Sequence, residues 1–68
     1  MNETQALKNQ IDYLLVLYGE YNSRIPMSFI FEDEILLLKR LYVMSGWAVY
    51  YRSFPVDGYY GFRVLQLA

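Results

Sequence analysis

The run WAVYYRSFPVDGYYGFRVLQL, Trp47 to Leu67, reads as a β-hairpin. Both arms, Trp47–Phe54 and Tyr59–Leu67, are rich in Val, Tyr, Phe and Trp, the residue types that suit a pleated and half-buried surface. Between them stands Pro55-Val56-Asp57-Gly58, with proline first and glycine last. That order predicts a type I turn with Gly58 in a left-handed or bulge position. Alternation then divides the side chains. Trp47, Val49 and Tyr51 with Tyr60, Phe62 and Val64 form the more apolar set, predicted to face a core. Ala48, Tyr50 and Arg52 with Tyr59, Gly61, Arg63 and Leu65 form the other.

Upstream of the hairpin, residues 33–45 predict a helix. Three acids, Glu32, Asp33 and Glu34, suit the positive end of its dipole, and Gly46 suits its C′ position. With Glu32 as N-cap, Phe31 and Leu36 are spaced for a hydrophobic staple. Ile35, Leu38 and Tyr42 share one side, Leu37, Leu41 and Met44 the next, and Leu36 and Val43 a third. A helix apolar on most sides is predicted to be buried on most sides. Before it, Met27, Phe29 and Phe31 alternate with Ser28, Ile30 and Glu32, which predicts a strand over 25–31 opened by Pro26 at a sheet edge.

The first element is a predicted helix over 3–21. Leu7, Ile11, Leu14, Tyr18 and Tyr21 recur at spacings of four and three. Asn2 or Thr4 is placed to cap it, with Gln5 three residues after Asn2, and Lys8 and Asp12 make an i,i+4 pair. Gly19 and Asn22-Ser23 mark its end. The whole is one domain, residues 1–68, of α+β class: two helices packed on one face of a small antiparallel sheet, in the order α-β-α-β-β with a C-terminal β-hairpin.

Composition narrows the function. The chain has 68 residues with no His and no Cys, so zinc fingers, thiol nucleophiles, imidazole bases and disulfides are excluded. No metal or cofactor is expected. The acids sit where a helix start explains them, and the Ser and Thr residues have no histidine to activate them. Six Lys and Arg against seven Asp and Glu give a net charge of −1, which argues against a dedicated nucleic-acid binder. No apolar run is long enough to span a membrane, and the N-terminus lacks the pattern of a secretory signal, so a cytoplasmic protein is expected. A chain this short buries only about 60% of its unfolded surface, which leaves it dependent on very good packing or on a second subunit.

Two surfaces follow. Tyr50, Arg52, Tyr59 and Arg63 lie on the hairpin face turned away from the helices and are candidates for partner contact, because Tyr and Arg combine large contact area with a polar tip. Leu37, Leu41 and Met44 are candidates for self-association as a homodimer. Gly58-Tyr59-Tyr60-Gly61-Phe62-Arg63-Val64 resembles the aromatic strand of RNA-recognition domains, which implies base stacking. It departs from that strand in its leading Asp57, its inserted tyrosine and the Arg63 between Phe and Val. The element order is similar to that of winged-helix domains, which implies a DNA-binding regulator, but that family needs a further helix. In size and lack of catalytic groups the chain resembles the small proteins with which phages and mobile elements block a host or defence protein. The expected function is therefore a non-catalytic protein-binding module, with a nucleic-acid-binding regulator and a structural subunit of a larger, virion-like assembly as alternatives.

Overall fold

The computed structural model describes residues 2–68, and residue 1 of the expected domain lies outside the described residues. Five elements run in the order α1 (Glu3–Tyr18), β1 (Glu20–Pro26), α2 (Glu32–Met44), β2 (Trp47–Phe54) and β3 (Tyr59–Gln66). The class is α+β as expected, with the hairpin at the C-terminus. The strands form one antiparallel sheet in the order β1-β3-β2, so β3 is central and both other strands are edges.

Helix α1 starts where Asn2 accepts the Gln5 N–H at 2.8 Å. It stops three residues earlier than its spacing predicts. Gly19 takes a left-handed conformation, φ 74°, and donates its N–H to the Leu15 carbonyl at 2.9 Å. That geometry ends a helix and is cheap only for glycine. The stripe beyond it therefore breaks: Leu7, Ile11 and Leu15 are buried, Tyr18 is exposed, and Tyr21 enters the core from β1. The first strand accordingly begins at Glu20, not at residue 25. Residues 27–30 form a turn in place of the predicted strand, closed by the Phe29 N–H on the Pro26 carbonyl at 3.0 Å.

Helix α2 begins one residue early. Phe31, not Glu32, is its N-cap. The staple positions move with it to Ile30 and Ile35, both in the core, while Phe31 stays 80% exposed. Ser45 and Gly46, the latter at φ 92°, close the helix. Ile35, Leu38 and Tyr42 are buried as one side. The expectation of burial on most sides fails within the single chain: Leu36, Leu37, Leu41, Val43 and Met44 all reach solvent.

Both helices lie on the same face of the sheet. They bury Tyr21 and Ile25 of β1 and Tyr60, Phe62 and Val64 of β3, with Trp47, Val49 and Tyr51 of β2 partly covered. The hairpin turn matches its sequence, since Asp57 and Gly58 both donate to the Phe54 carbonyl and Gly58 has φ 78°.

Candidate functional site

The sheet face opposite the helices is uncovered, and pairing fixes what stands on it. Residues directly opposite in antiparallel strands share a face. Across β1, β3 and β2 the rows are Glu20, Leu65, Ala48; then Asn22, Arg63, Tyr50; then Arg24, Gly61, Arg52; then Pro26, Tyr59, Phe54. The four residues expected to touch a partner, Tyr50, Arg52, Tyr59 and Arg63, are thus brought onto one surface. Two more belong with them. Arg24 comes from β1 and Phe54 from the end of β2.

A strand over 25–31 puts Arg24 in a connecting loop, whereas β1 begins at Glu20 and carries it into the sheet. The signal for it was present: Tyr21, Ser23 and Ile25 alternate with Asn22, Arg24 and Pro26 directly after a helix-stopping glycine. With Arg24 included, three of the chain's four arginines occupy this face, all exposed. Among the described residues the one salt bridge is Lys8 to Asp12 on α1, so none of the three guanidiniums has a carboxylate within reach. The acids are elsewhere. Glu3 and Asp12 are on α1, Glu32, Asp33 and Glu34 on α2, and Asp57 in the hairpin turn, leaving Glu20 alone on the open face. A net charge of −1 thus conceals a positive sheet face and a negative helical side.

The aromatic residues hold the arginines in place. The rings of Phe54 and Tyr59 stack at 4.7 Å between centroids, Arg24 lies over Tyr59 at 5.1 Å and Arg52 over Phe54 at 5.0 Å. The result is a stack of four: Arg24, Tyr59, Phe54, Arg52. Such contacts contribute about 0.5–1 kcal/mol each at exposed sites, and they leave the N–H edges of both guanidiniums free to bind oxygen. Gly61 lies between the two arginines in the register. A side chain there would meet the Phe54 ring, since a Cβ would sit 3.3 Å from its Cε2. The absence of one opens a shallow hollow bordered by Asn22, Tyr50, Arg52 and Arg63. Its chemistry suits a carboxylate or another planar anion.

The acids near the start of α2 serve the fold. Thr4 donates its hydroxyl proton to Glu34 at 2.7 Å, and the Tyr51 hydroxyl donates to Glu32. Burial, then the hydrogen bond to Glu32, pushes the Tyr51 phenol up to about 12.

The residues expected to drive self-association lie on the other side of the molecule. Leu37, Leu41 and Met44 are 46%, 41% and 77% exposed. Leu41 borders a cleft between the helices with Lys8, Asp12, Leu15, Val16 and Trp47. No helix among the described residues is long and apolar enough to cross a membrane. Comparison with protein families, with characterised proteins and with solved structures finds no match for this chain.

Proposed function

We propose that this protein is a non-catalytic binding module that seats an acidic surface of another protein on its open sheet face. One observation carries the reading. Three guanidiniums without carboxylate partners stand together on an uncovered sheet, two of them braced by aromatic rings. Like charges gathered on one face repel one another, and that cost is offset when an anionic partner arrives. In this reading the protein works in the cytoplasm by occupying its partner's surface, in the manner of the small blocking proteins of phages and mobile elements. A second copy of the chain is the occupant proposed for the outer side of α2, through Leu37, Leu41 and Met44.

A single-stranded nucleic acid is the second reading, favoured by arginine and aromatic side chains on one sheet face. The stacking speaks against it. The faces of Phe54 and Tyr59 are occupied by each other and by Arg52 and Arg24, which leaves Tyr50 as the ring open to a base. The winged-helix reading still lacks the further helix that family needs, since α2 alone stands between β1 and the hairpin.

The test is affinity capture from the native host with the wild-type chain and with Arg24→Ser, Arg52→Ser and Arg63→Ser combined. The variant is expected to fold, since all three side chains are exposed, and to retain the captured protein at least about tenfold more weakly, which is about 1.4 kcal/mol. Equal retention removes the open face as the binding surface. Tighter binding to an oligothymidine than to any protein, falling steeply with salt, transfers the face to nucleic acid.

A further inference from the structure

The outer edge of β2 is as open as the face beneath it. Two contacts fix which backbone groups point outward. Met27 donates its N–H to the Gly58 carbonyl at 2.9 Å, and the Phe54 carbonyl accepts from Gly58 at 2.8 Å. Bonding alternates residue by residue along antiparallel ladders. Ala48, Tyr50, Arg52 and Phe54 therefore turn their N–H and C=O groups toward β3, while Trp47, Val49, Tyr51 and Ser53 turn theirs outward. Among the described residues, no backbone group of another element bonds to these four.

The two edges differ. In β1 the outward-pointing residues are Glu20, Asn22, Arg24 and Pro26, which include two charges and a proline without an N–H. Natural sheets blunt their edges with such residues. Over its eight residues β2 has one charge, Arg52, no proline, and mostly Trp, Val, Tyr and Phe.

A wall stands over this edge on the helical side. Glu32, Leu36, Lys39 and Val43 recur at i, i+4, i+7 and i+11, one stripe of α2. The Tyr51–Glu32 hydrogen bond sets that stripe over β2, while Thr4–Glu34 and Tyr42–Asp12 tie the opposite flank to α1. On that stripe Leu36 and Val43 are 42% and 50% exposed, and on β2 Val49 and Tyr51 are half-buried. Below the edge lie Tyr50, Arg52 and Arg63.

We infer that β2 accepts an extended segment of an acidic protein partner as a fourth strand of the sheet. The inference rests on the acidic-partner reading above and gives that partner a pattern. Its side chains beside Trp47, Val49 and Tyr51 are apolar and pack beneath Leu36 and Val43. Those beside Ala48, Tyr50 and Arg52 are Asp or Glu and face the arginines. Main-chain hydrogen bonds supply affinity in this mode, and the alternating side chains supply specificity. A second copy fits the edge less well. Twofold antiparallel pairing of β2 joins two arginine-bearing sheet faces edge to edge, cation beside cation.

The probe is a synthetic eight-residue peptide alternating Glu with Val, read by amide hydrogen exchange of the full chain. The expected result is at least tenfold slower exchange at Val49, Tyr51 and Ser53, with Tyr50 and Arg52 unchanged because β3 already holds them. A peptide with Lys in place of Glu should slow none of them. Ser53→Pro, which deletes one outward donor, and Leu36→Ser with Val43→Ser, which strips the wall, should each weaken the peptide at least fivefold. A peptide that shifts the Arg24, Arg52 and Arg63 signals without slowing those amides overturns strand addition and leaves the acidic-partner reading standing. A peptide that touches neither overturns both. The same amides slowing with protein concentration alone assign the edge to a second copy and overturn the inference.

Discussion

Tyr42 shows how single side chains join the two helices. Its hydroxyl donates to Asp12 Oδ1 at 2.6 Å, while Lys8 Nζ holds Oδ2 at 2.7 Å. Burial alone would raise the Asp12 pKa, but the Lys8 and Tyr42 donors and the Lys8 charge outweigh it, and the carboxyl ends below its usual 3.8. Burial, then Asp12, raises the Tyr42 phenol well above 10. A carboxyl held down in the folded state stabilises the protein above its unfolded pKa, and the contribution is lost as pH falls below about 4. Tyr42→Phe should cost about 1 kcal/mol at pH 7, the worth of one hydrogen bond, and reduce the acid loss. Urea unfolding at pH 7 and pH 3 checks it; identical midpoints for the two proteins at both pH values would show the pair to be idle. On the alkaline side the sign reverses. Tyr51, pushed up to about 12, stabilises the fold fully below pH 10, and the contribution fades as pH rises from there. With no histidine in the chain, stability should be flat between these limits.

Among the elements, the central strand β3 holds the core. Tyr60, Phe62 and Val64 are all buried beneath the helices. Phe62→Ala should destabilise by about 3–5 kcal/mol, the cost of truncating a buried Phe, whereas Phe31→Ala should stay within about 0.5 kcal/mol. Chemical unfolding of both variants tests the contrast, and a large loss at Phe31 would restore it as a staple. The hairpin was readable because its turn residues and alternation agree. The helix–strand boundary at Gly19 was not, because Tyr18 and Tyr21 continue the helical spacing past a residue whose left-handed backbone the spacing does not register. Phe31 and Ile30 exchanged roles for a similar reason. A one-residue shift of the N-cap rotates the staple by one position, and a period of two cannot tell a strand from a turn entering a helix.

At the scale of the molecule, the accessible surface of 4817 Å² exceeds the roughly 4,500 Å² expected for a chain of this mass. Much of what stays uncovered is apolar: Val16, Leu37, Leu41 and Met44 among it. Large apolar patches on a small protein mark interaction surfaces. Light scattering at micromolar concentration should give twice the chain mass of 8.1 kDa. Leu37→Glu with Met44→Glu should return it to one chain. A wild-type monomer would remove the dimer, and a dimer untouched by both substitutions would move its interface elsewhere.

By itself the sequence determined the class, the hairpin, its turn and the buried side of α2, because these depend on contacts between residues close along the chain. Tertiary structure alone decided that β1 pairs with β3, and hence that Arg24 joins Arg52 and Arg63 around Gly61. Strand order is set by which apolar faces the two helices can cover at once, and no local spacing carries that information. Charge follows the same division: its sum is written in the composition, but its separation onto two sides arises only when the sheet assembles.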